Sequence, residues 1–471
     1  MKDESVPQPV VHLDVSQREA RGRAARKIVQ RSSLGAWEPS TDRPDPVALV
    51  AGQETTRLQD LLPIRHERMC ASPFAFYRGA AILMASDLAT QPDTGLRVQC
   101  CGDAHLANFG GFSAPDRATV FDMNDFDETN PGPFEWDVKR LVTSFELAWQ
   151  ASGLDPKDGR KIVVNTARAY RSAMAEFAAM RNLDLWYARL DVDAVLARWA
   201  GEVDKATLET FQKNVTKAQG KDSMKAFAKL TEEVDGEHRI VSDPPLIVPL
   251  RDLDDDPAAM MAWLGDRFRV YRRTLQADRR HLLETYRVVD AARKVVGVGS
   301  VGTRCWIFLL LGRDGDDPLF LQVKEANESV LEPYTGRSGY ASHGQRVVEG
   351  QRLLQSASDI LLGWTTAPGV DGIERDFYLR QLWDGKLSPA FESMSRDTLK
   401  VFGELCAWTL ARGHARSGDR IAIAAYLGDG DQFDRSMGEF ATAYAEQNQR
   451  DFEAVSAAVS AGRLATAQGA R

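Results

Sequence analysis

CCGDAHLANFGGF at 100–112 and FDMNDFDETNPGPFEWD at 121–137 decide how this chain is read. The first stretch follows a short strand, RVQCC (97–101), and is a glycine-punctuated loop carrying Asp103, His105 and Asn108. Loops set on a rigid scaffold concentrate catalytic groups. A carboxylate at Asp103 can take a proton from a substrate hydroxyl, and Asn108 offers an amide oxygen to Mg²⁺, a hard ion that prefers oxygen. The plain alternative is that Asp103 and His105 only satisfy loop amides. In the second stretch Asp122, Asp125, Asp127 and Glu128 crowd the end of another short strand. Carboxylates this close repel unless a cation compensates, so the expectation is a metal, against the alternative of a solvated acidic turn. Alternation along Val120–Asp125 leaves open which aspartate faces the site.

Far downstream, KVVGVGSVG (294–302) contains G-x-G-x-x-G and is followed by FLQVKEA (320–326). In a dinucleotide fold this motif would open a crossover helix. CWIFLLLGRDGDDP (305–318) is instead strand-like and turns within about ten residues, which leaves little room for a helix. The better reading is a glycine loop between two antiparallel strands lying over nucleotide phosphates, with Lys324 on the following strand. A plain glycine-rich hairpin is the alternative. Glu349, in the helical pattern GQRVVEGQRLL (344–354), is a candidate ion-pair partner for Lys324, or else a surface glutamate.

GDAHLANFG followed by NDFDETNPGPFEWDVKRL resembles the G-D-x-H-x-x-N … D … D-[LV]-x-[RK]-L stretch of aminoglycoside and choline phosphotransferases. The Asp125-to-Asp137 spacing of that pattern selects Asp125 over Asp122. From about residue 50 to 450 the chain also resembles an uncharacterised bacterial family of the protein-kinase-like clan. The hallmarks are FYRGAA, GDAHLANFG, NDFDE, VGSVGTRCW, LQVKEA, QRVVEGQRLLQ and LARGHARSGD. The resemblance implies Asp103 as catalytic base, His105 orienting its loop, and Asn108 and Asp125 as Mg²⁺ ligands. It implies Lys324 with Glu349 as a phosphate clamp, and Gly297, Gly299, Ser300 and Gly302 around the ATP phosphates. The strand RDFYLRQLW (375–383) would link two lobes, its backbone near Gln381 and Trp383 meeting adenine, with Arg380 a packing group.

In ordinary kinases the glycine loop precedes the catalytic loop; here the order is reversed. The implied fold is α+β: a two-lobed protein-kinase-like fold, circularly permuted, with a small antiparallel-sheet lobe and a large helical lobe. Its joint would lie near Asp419, after the helix ending LARGHA. The parts are an N-terminal arm (1–60), a catalytic-loop and metal part (61–150), helices of the large lobe (151–286), a nucleotide lobe (287–386) and C-terminal helices (387–471). A buried helix is expected at 74–89, and a mostly helical region from 139 to 286 with a loop at 241–249.

The remaining sequence narrows the class. The chain has 471 residues, 44% hydrophobic and 27% charged, with 36 Gly and 20 Pro, which argues against disorder or collagen. Its 59 Lys+Arg against 67 Asp+Glu give −8, a poor basis for non-specific nucleic-acid binding. The five cysteines form no C-x-x-C pair, so neither a disulfide framework nor a structural zinc site is indicated. No apolar leader opens the sequence and its longest apolar runs are too short to span a bilayer, so a cytoplasmic protein without a membrane or nucleic-acid partner is expected. The expected activity is transfer of the γ-phosphate of Mg·ATP to a hydroxyl of a small molecule or a protein. The alternatives are an inactive ATP-binding module and AMP transfer on the same fold. Oligomeric state is left open.

Overall fold

The strand Cys305–Leu311 is apolar throughout because both of its faces are covered. Side chains alternate across a strand. Phe308 and Leu310 enter one core with Tyr271, Leu321 and Phe377, while Ile307, Leu309 and Leu311 enter another with Phe227, Ile240 and Phe320. In the computed structural model this strand is central to a six-stranded antiparallel sheet. Its order is Gly363–Pro368, Glu374–Gln381, Pro318–Glu325, Cys305–Leu311, Arg287–Lys294, Ile247–Pro249. The structure describes residues 11–464 apart from 194, 196–200, 202–208, 210–212, 214–222, 235, 254–256, 369–371 and 383–390.

The expected strand–glycine loop–strand hairpin is present. Arg287–Lys294 and Cys305–Leu311 are antiparallel neighbours, Arg293 facing Trp306, and residues 297–302 lie in the connection with no crossover helix. Two expectations change. The region 139–286 is not helical up to its loop: it contains the hairpin Thr231–Val234 and Glu237–Ile240. The prolines at 244–245 precede Ile247–Pro249, which forms the sheet's edge strand, so the sheet begins well before residue 287. A three-residue strand at an edge leaves too short a pattern for period-two reading. The helix expected over 74–89 is two, Pro73–Gly79 and Ala81–Leu88, broken where Ala80 leaves helical geometry at φ −126° and ψ 45°.

A larger core is built by helices Phe134–Ala151, Pro156–Ala179, Arg396–Ser417 and Gln432–Ser460. Phe134–Ala151 is buried on every side from Phe134 to Trp149, so its charged residues must find internal partners. Glu135 takes hydrogen bonds from Thr94, and Lys139 donates to Gln91 and lies over the Phe440 ring. The N-terminal arm packs on this body. Arg26 donates to the Tyr426 carbonyl at 2.8 Å, and Arg43 bridges Asp87 and Asp451 at 2.7 and 2.6 Å.

Arg396–Ser417 ends against the strand Arg97–Cys100, with the Gln99 N–H donating to Ser417 Oγ at 3.2 Å. The same helix supplies Arg412, which reaches both oxygens of Asp122 at 2.7 and 2.9 Å with both side chains almost fully buried. All five cysteines are free thiols. Among the described residues no helix is long and apolar enough to cross a membrane.

Arg412→Leu leaves the Asp122 carboxylate buried without its cation. The expected cost is about 3–5 kcal/mol, read as a lowered urea midpoint at unchanged slope. Asp122→Asn combined with Arg412→Leu should recover part of it.

Candidate functional site

The catalytic-loop candidate is fixed from below. Gly102 has φ +86°, and a Cβ there would lie 2.1 Å from the Glu128 carbonyl, so both backbone angle and space require glycine. Asp137 accepts from the Cys101 and Gly102 N–H groups at 2.6 and 3.0 Å. His414 contacts Asp137 at 3.1 Å through Nε2, and its Nδ1 meets the Tyr170 hydroxyl at 2.8 Å. This buried chain sets where the next residue, Asp103, emerges.

Arg140 holds one oxygen of Asp103 at 2.8–2.9 Å. Burial pushes this carboxyl up, to about 6; Arg140 opposes the shift and Asp125 adds to it. His105 is buried with Nε2 3.6 Å from Asp103, and burial together with Arg78 and Arg140 holds it well below its usual range, as a neutral ring. Asn108 donates through Nδ2 to the Asp103 carbonyl at 2.9 Å, which leaves its amide oxygen as the free end.

The acidic stretch divides its labour. Asp122 is the structural partner of Arg412. Asp125 lines the cleft, with one oxygen accepting from the Asp127 N–H at 3.3 Å. Asp127 takes Lys324 Nζ at 2.5 Å, the Tyr378 hydroxyl at 2.6 Å and the Ser300 hydroxyl at 3.2 Å. Burial alone would raise Asp127, but Lys324, Tyr378 and Arg380 together outweigh it and the net shift is downward, while Lys324, against its own burial, is held well above its ordinary value by Asp127. Lys324 and Asp103 therefore border one cleft although they are far apart in sequence.

The partners of Glu349 and of the Gln381 backbone differ from those expected. Glu349 is not the partner of Lys324; it pairs with Arg352 one helical turn away at 2.9 Å, an i,i+3 neighbour that reaches it more readily. The Gln381 N–H is donated to Asp359, and the Leu382 N–H to the Phe320 carbonyl at 3.0 Å, so these backbone donors are already engaged. Trp383 lies outside the described residues. Arg380 bridges Gln322 and the Asn124 carbonyl, each at 3.2 Å, in keeping with a packing role at the cleft wall.

The glycine loop is held from behind by the segment after the arm. Arg68 donates to the Gly297 carbonyl at 2.6 Å, Arg65 to Gly299 at 2.9 Å and Arg57 to Val301 at 2.6 Å. In a planar trans peptide the following N–H points the opposite way. The amides of Val298, Ser300 and Gly302 therefore turn away from the arginines, and no protein acceptor takes them among the described residues. Gly297 and Gly302 have φ +65° and +89°, whereas Gly299 has no such requirement. Unpaired amides on alternate residues of one loop can take an anion.

Two cavities meet at Asp125, Gly297 and Ser300. One, of about 400 Å³, reaches Lys324, Gln322 and Gln381. The other, of about 360 Å³, reaches Asp103, His105, Asn108 and Arg78. Among the described residues no cluster of three or more His, Cys, Asp or Glu could hold a metal. Asn108 and Asp125 together supply two hard oxygen donors on one cavity, which fits Mg²⁺ bound by few protein groups and completed by phosphate and water. Sequence reasoning missed Asp127 as the lysine's partner and the arginines of residues 57–78; arginines inside the otherwise apolar FYRGAA and LPIRHERM patterns were the available signal.

Residues 57–458 match a family described as an uncharacterised protein conserved in bacteria, DUF2252. The chain belongs to that family. No curated protein and no solved structure matches it. The match covers both the catalytic-loop candidate and the glycine loop, so the two halves of the cleft belong to one family unit.

Glu128, beside Asp127, is pushed up to about 7 by burial, with Asp127 and Asp103 adding to the shift and its hydrogen bond from the Val330 N–H opposing it. A folded carboxyl raised above its unfolded value binds more protons than the unfolded chain between the two, so stability falls as pH rises through that window. Glu128→Gln keeps an acceptor for Val330. It should flatten the loss of melting temperature between about pH 4.5 and 7 relative to wild type; parallel curves would show that Glu128 does not titrate there.

Proposed function

We infer that this protein is an ATP-dependent phosphotransferase with a protein-kinase-like, circularly permuted architecture. The observation that carries the reading is the convergence of Lys324 and Ser300, from the hairpin, on Asp127 of the acidic loop. A glycine loop, a lysine on the next strand, and an acid–Asn loop around one cleft form a parts list for phosphoryl transfer. The contact between Ser417 and Gln99 supports the permutation, since the helix that would lead into the catalytic loop ends beside that loop's strand.

In this reading the nucleotide occupies the cavity with Lys324, and its phosphates run past Gly297 and Ser300 toward Asp103. The unpaired loop amides bind phosphate oxygens, and Lys324 shares its charge between Asp127 and the phosphates. Asn108 and Asp125 would hold Mg²⁺, which neutralises phosphate charge when bound. An acceptor hydroxyl in the second cavity gives its proton to the free oxygen of Asp103 while its oxygen bonds to the γ-phosphorus. The bond from that phosphorus to the bridging oxygen breaks, and ADP leaves with the electron pair. Arg140 keeps Asp103 oriented, and His105, held neutral, supports the loop without competing for the proton. Most of the rate comes from positioning and electrostatics.

A second reading, an ATP-binding module without turnover, draws on the pairing of Glu349 with Arg352 and of Lys324 with Asp127. AMP transfer on the same site is separated from phosphoryl transfer by product mass.

Asp103→Asn should retain Mg·ATP binding, seen as an unchanged nucleotide-dependent rise in melting temperature. Transfer of label from γ-labelled ATP to water or to pooled hydroxylated metabolites should fall about 10²–10⁴-fold. Full transfer by this variant would remove Asp103 from the chemistry. Binding without transfer in wild type would favour the module.

A further inference from the structure

Arg78 is the feature of the cleft that no role yet uses. It is the penultimate residue of the helix Pro73–Gly79, outside both the glycine loop and the catalytic loop. Its carbonyl lies 3.4 Å from where a Gly299 Cβ would stand, so this helix end abuts the tip of the glycine loop. Arg65 fastens the two together, donating to the Gly299 and Gly79 carbonyls at 2.9 and 3.0 Å. Arg78 lines the cavity that holds Asp103, Asn108 and Asp125.

What sets Arg78 apart is the lack of a partner. The other guanidinium lining that cavity, Arg57, donates to Val301. Lys324, on the neighbouring cavity, has Asp127. Arg78 makes no hydrogen bond or ion pair among the described residues; its Nε is buried and unsatisfied, and it rests only on the Phe74 ring, 6.0 Å to the centroid. Asp103, Glu392 and Asp125 act on it through space without direct contact. A half-buried guanidinium left unpaired is costly unless something else completes it. Its fork matches the oxygens of a phosphate, and the unpaired amide of Ser300 approaches the same space.

We propose that Arg78 binds the terminal phosphoryl group of the nucleotide, between the glycine-loop tip and Asp103, and steadies the charge on its oxygens during transfer. This deepens the phosphotransferase reading and rests on it. The group comes from outside the two motif loops, from a helix whose end is locked to the glycine loop by Arg65. A ligand that seats against the loop therefore meets Arg78 at a fixed distance.

The test is calorimetric titration of the full chain with Mg²⁺ and either a non-hydrolysable ATP analogue or ADP. For Arg78→Met, affinity for the triphosphate should fall about 10- to 100-fold, as expected for losing one charge-assisted contact. Affinity for ADP should change less than about twofold. Arg78→Lys keeps the charge without the fork and should recover part of the loss. Equal losses for both nucleotides, or no change for either, would overturn the assignment while leaving the phosphotransferase reading standing. The second result would point to acceptor binding instead. If wild type binds neither nucleotide, that reading falls and this one with it. Because Arg78 has no internal partner to strand, the Met variant should fold; its melting temperature without nucleotide checks this.

Discussion

Asp127 is the point on which the cleft turns. A carboxylate where the acidic loop meets the sheet loses much of its water, and that loss alone would favour its neutral form. Three donors compensate: Lys324 and Tyr378 from the sheet and Ser300 from the glycine loop. Arg346 then secures the backbone on either side, donating to the Asp127 and Thr129 carbonyls at 3.0 and 2.5 Å and to Asn327 at 2.7 Å. A buried ion pair contributes little net stability, because desolvation offsets most of the attraction. Its effect is on geometry. An alternative docking of hairpin and acidic loop would leave Asp127 or Lys324 buried and unpaired, so one arrangement is favoured over its neighbours.

That arrangement explains why some features were legible and others not. The hairpin was legible because CWIFLLL and LFLQVKE flank a D-G-D-D-P turn, and local pattern is enough to form it. The catalytic-loop candidate was legible because Gly102, Asp103 and Asn108 act within one loop. Glu349 stands three residues from Arg352 on the same helix, and a neighbour at that spacing captures it before a lysine distant in sequence can. The Asp127–Lys324 pair crosses 197 positions, and no local rule chooses between Asp122, Asp125 and Asp127 as partner. The choice is made by Arg412, which takes Asp122 in the core, and by the turn after the strand, which brings Asp127 to Lys324 and leaves Asp125 on the cavity wall.

The glycine loop carries a different lesson. Glycines free a backbone to approach phosphate, but freedom also costs entropy when the loop must order on a ligand. Arg57, Arg65 and Arg68 remove much of that freedom in advance by taking the carbonyls of alternate residues. With carbonyls fixed on one side, planar peptides leave N–H groups on the other. The segment at 57–68 thus does part of the loop's work, and the loop cannot be understood from its own six residues. Arg65 and Arg68 sit in the helix Leu62–Met69, whose Leu62, Pro63 and Met69 are buried, which is why the surrounding pattern reads as ordinary packing.

The long separation of the two loops in the chain has a simple physical account. The entropic cost of bringing two loop ends together grows only with the logarithm of the intervening length, about 0.6 kcal/mol for each doubling. Separating the catalytic loop from the lysine strand by more than two hundred residues is therefore cheap, provided the intervening helices bury enough surface to order themselves. Phe134–Ala151 does so most completely, enclosed on every side, and it carries both Asp137 and Arg140 to the catalytic loop. The helix that builds the large core is thus the one that aims Asp103. Core packing and site geometry are one constraint here, and the position of the chain's ends relative to them matters little.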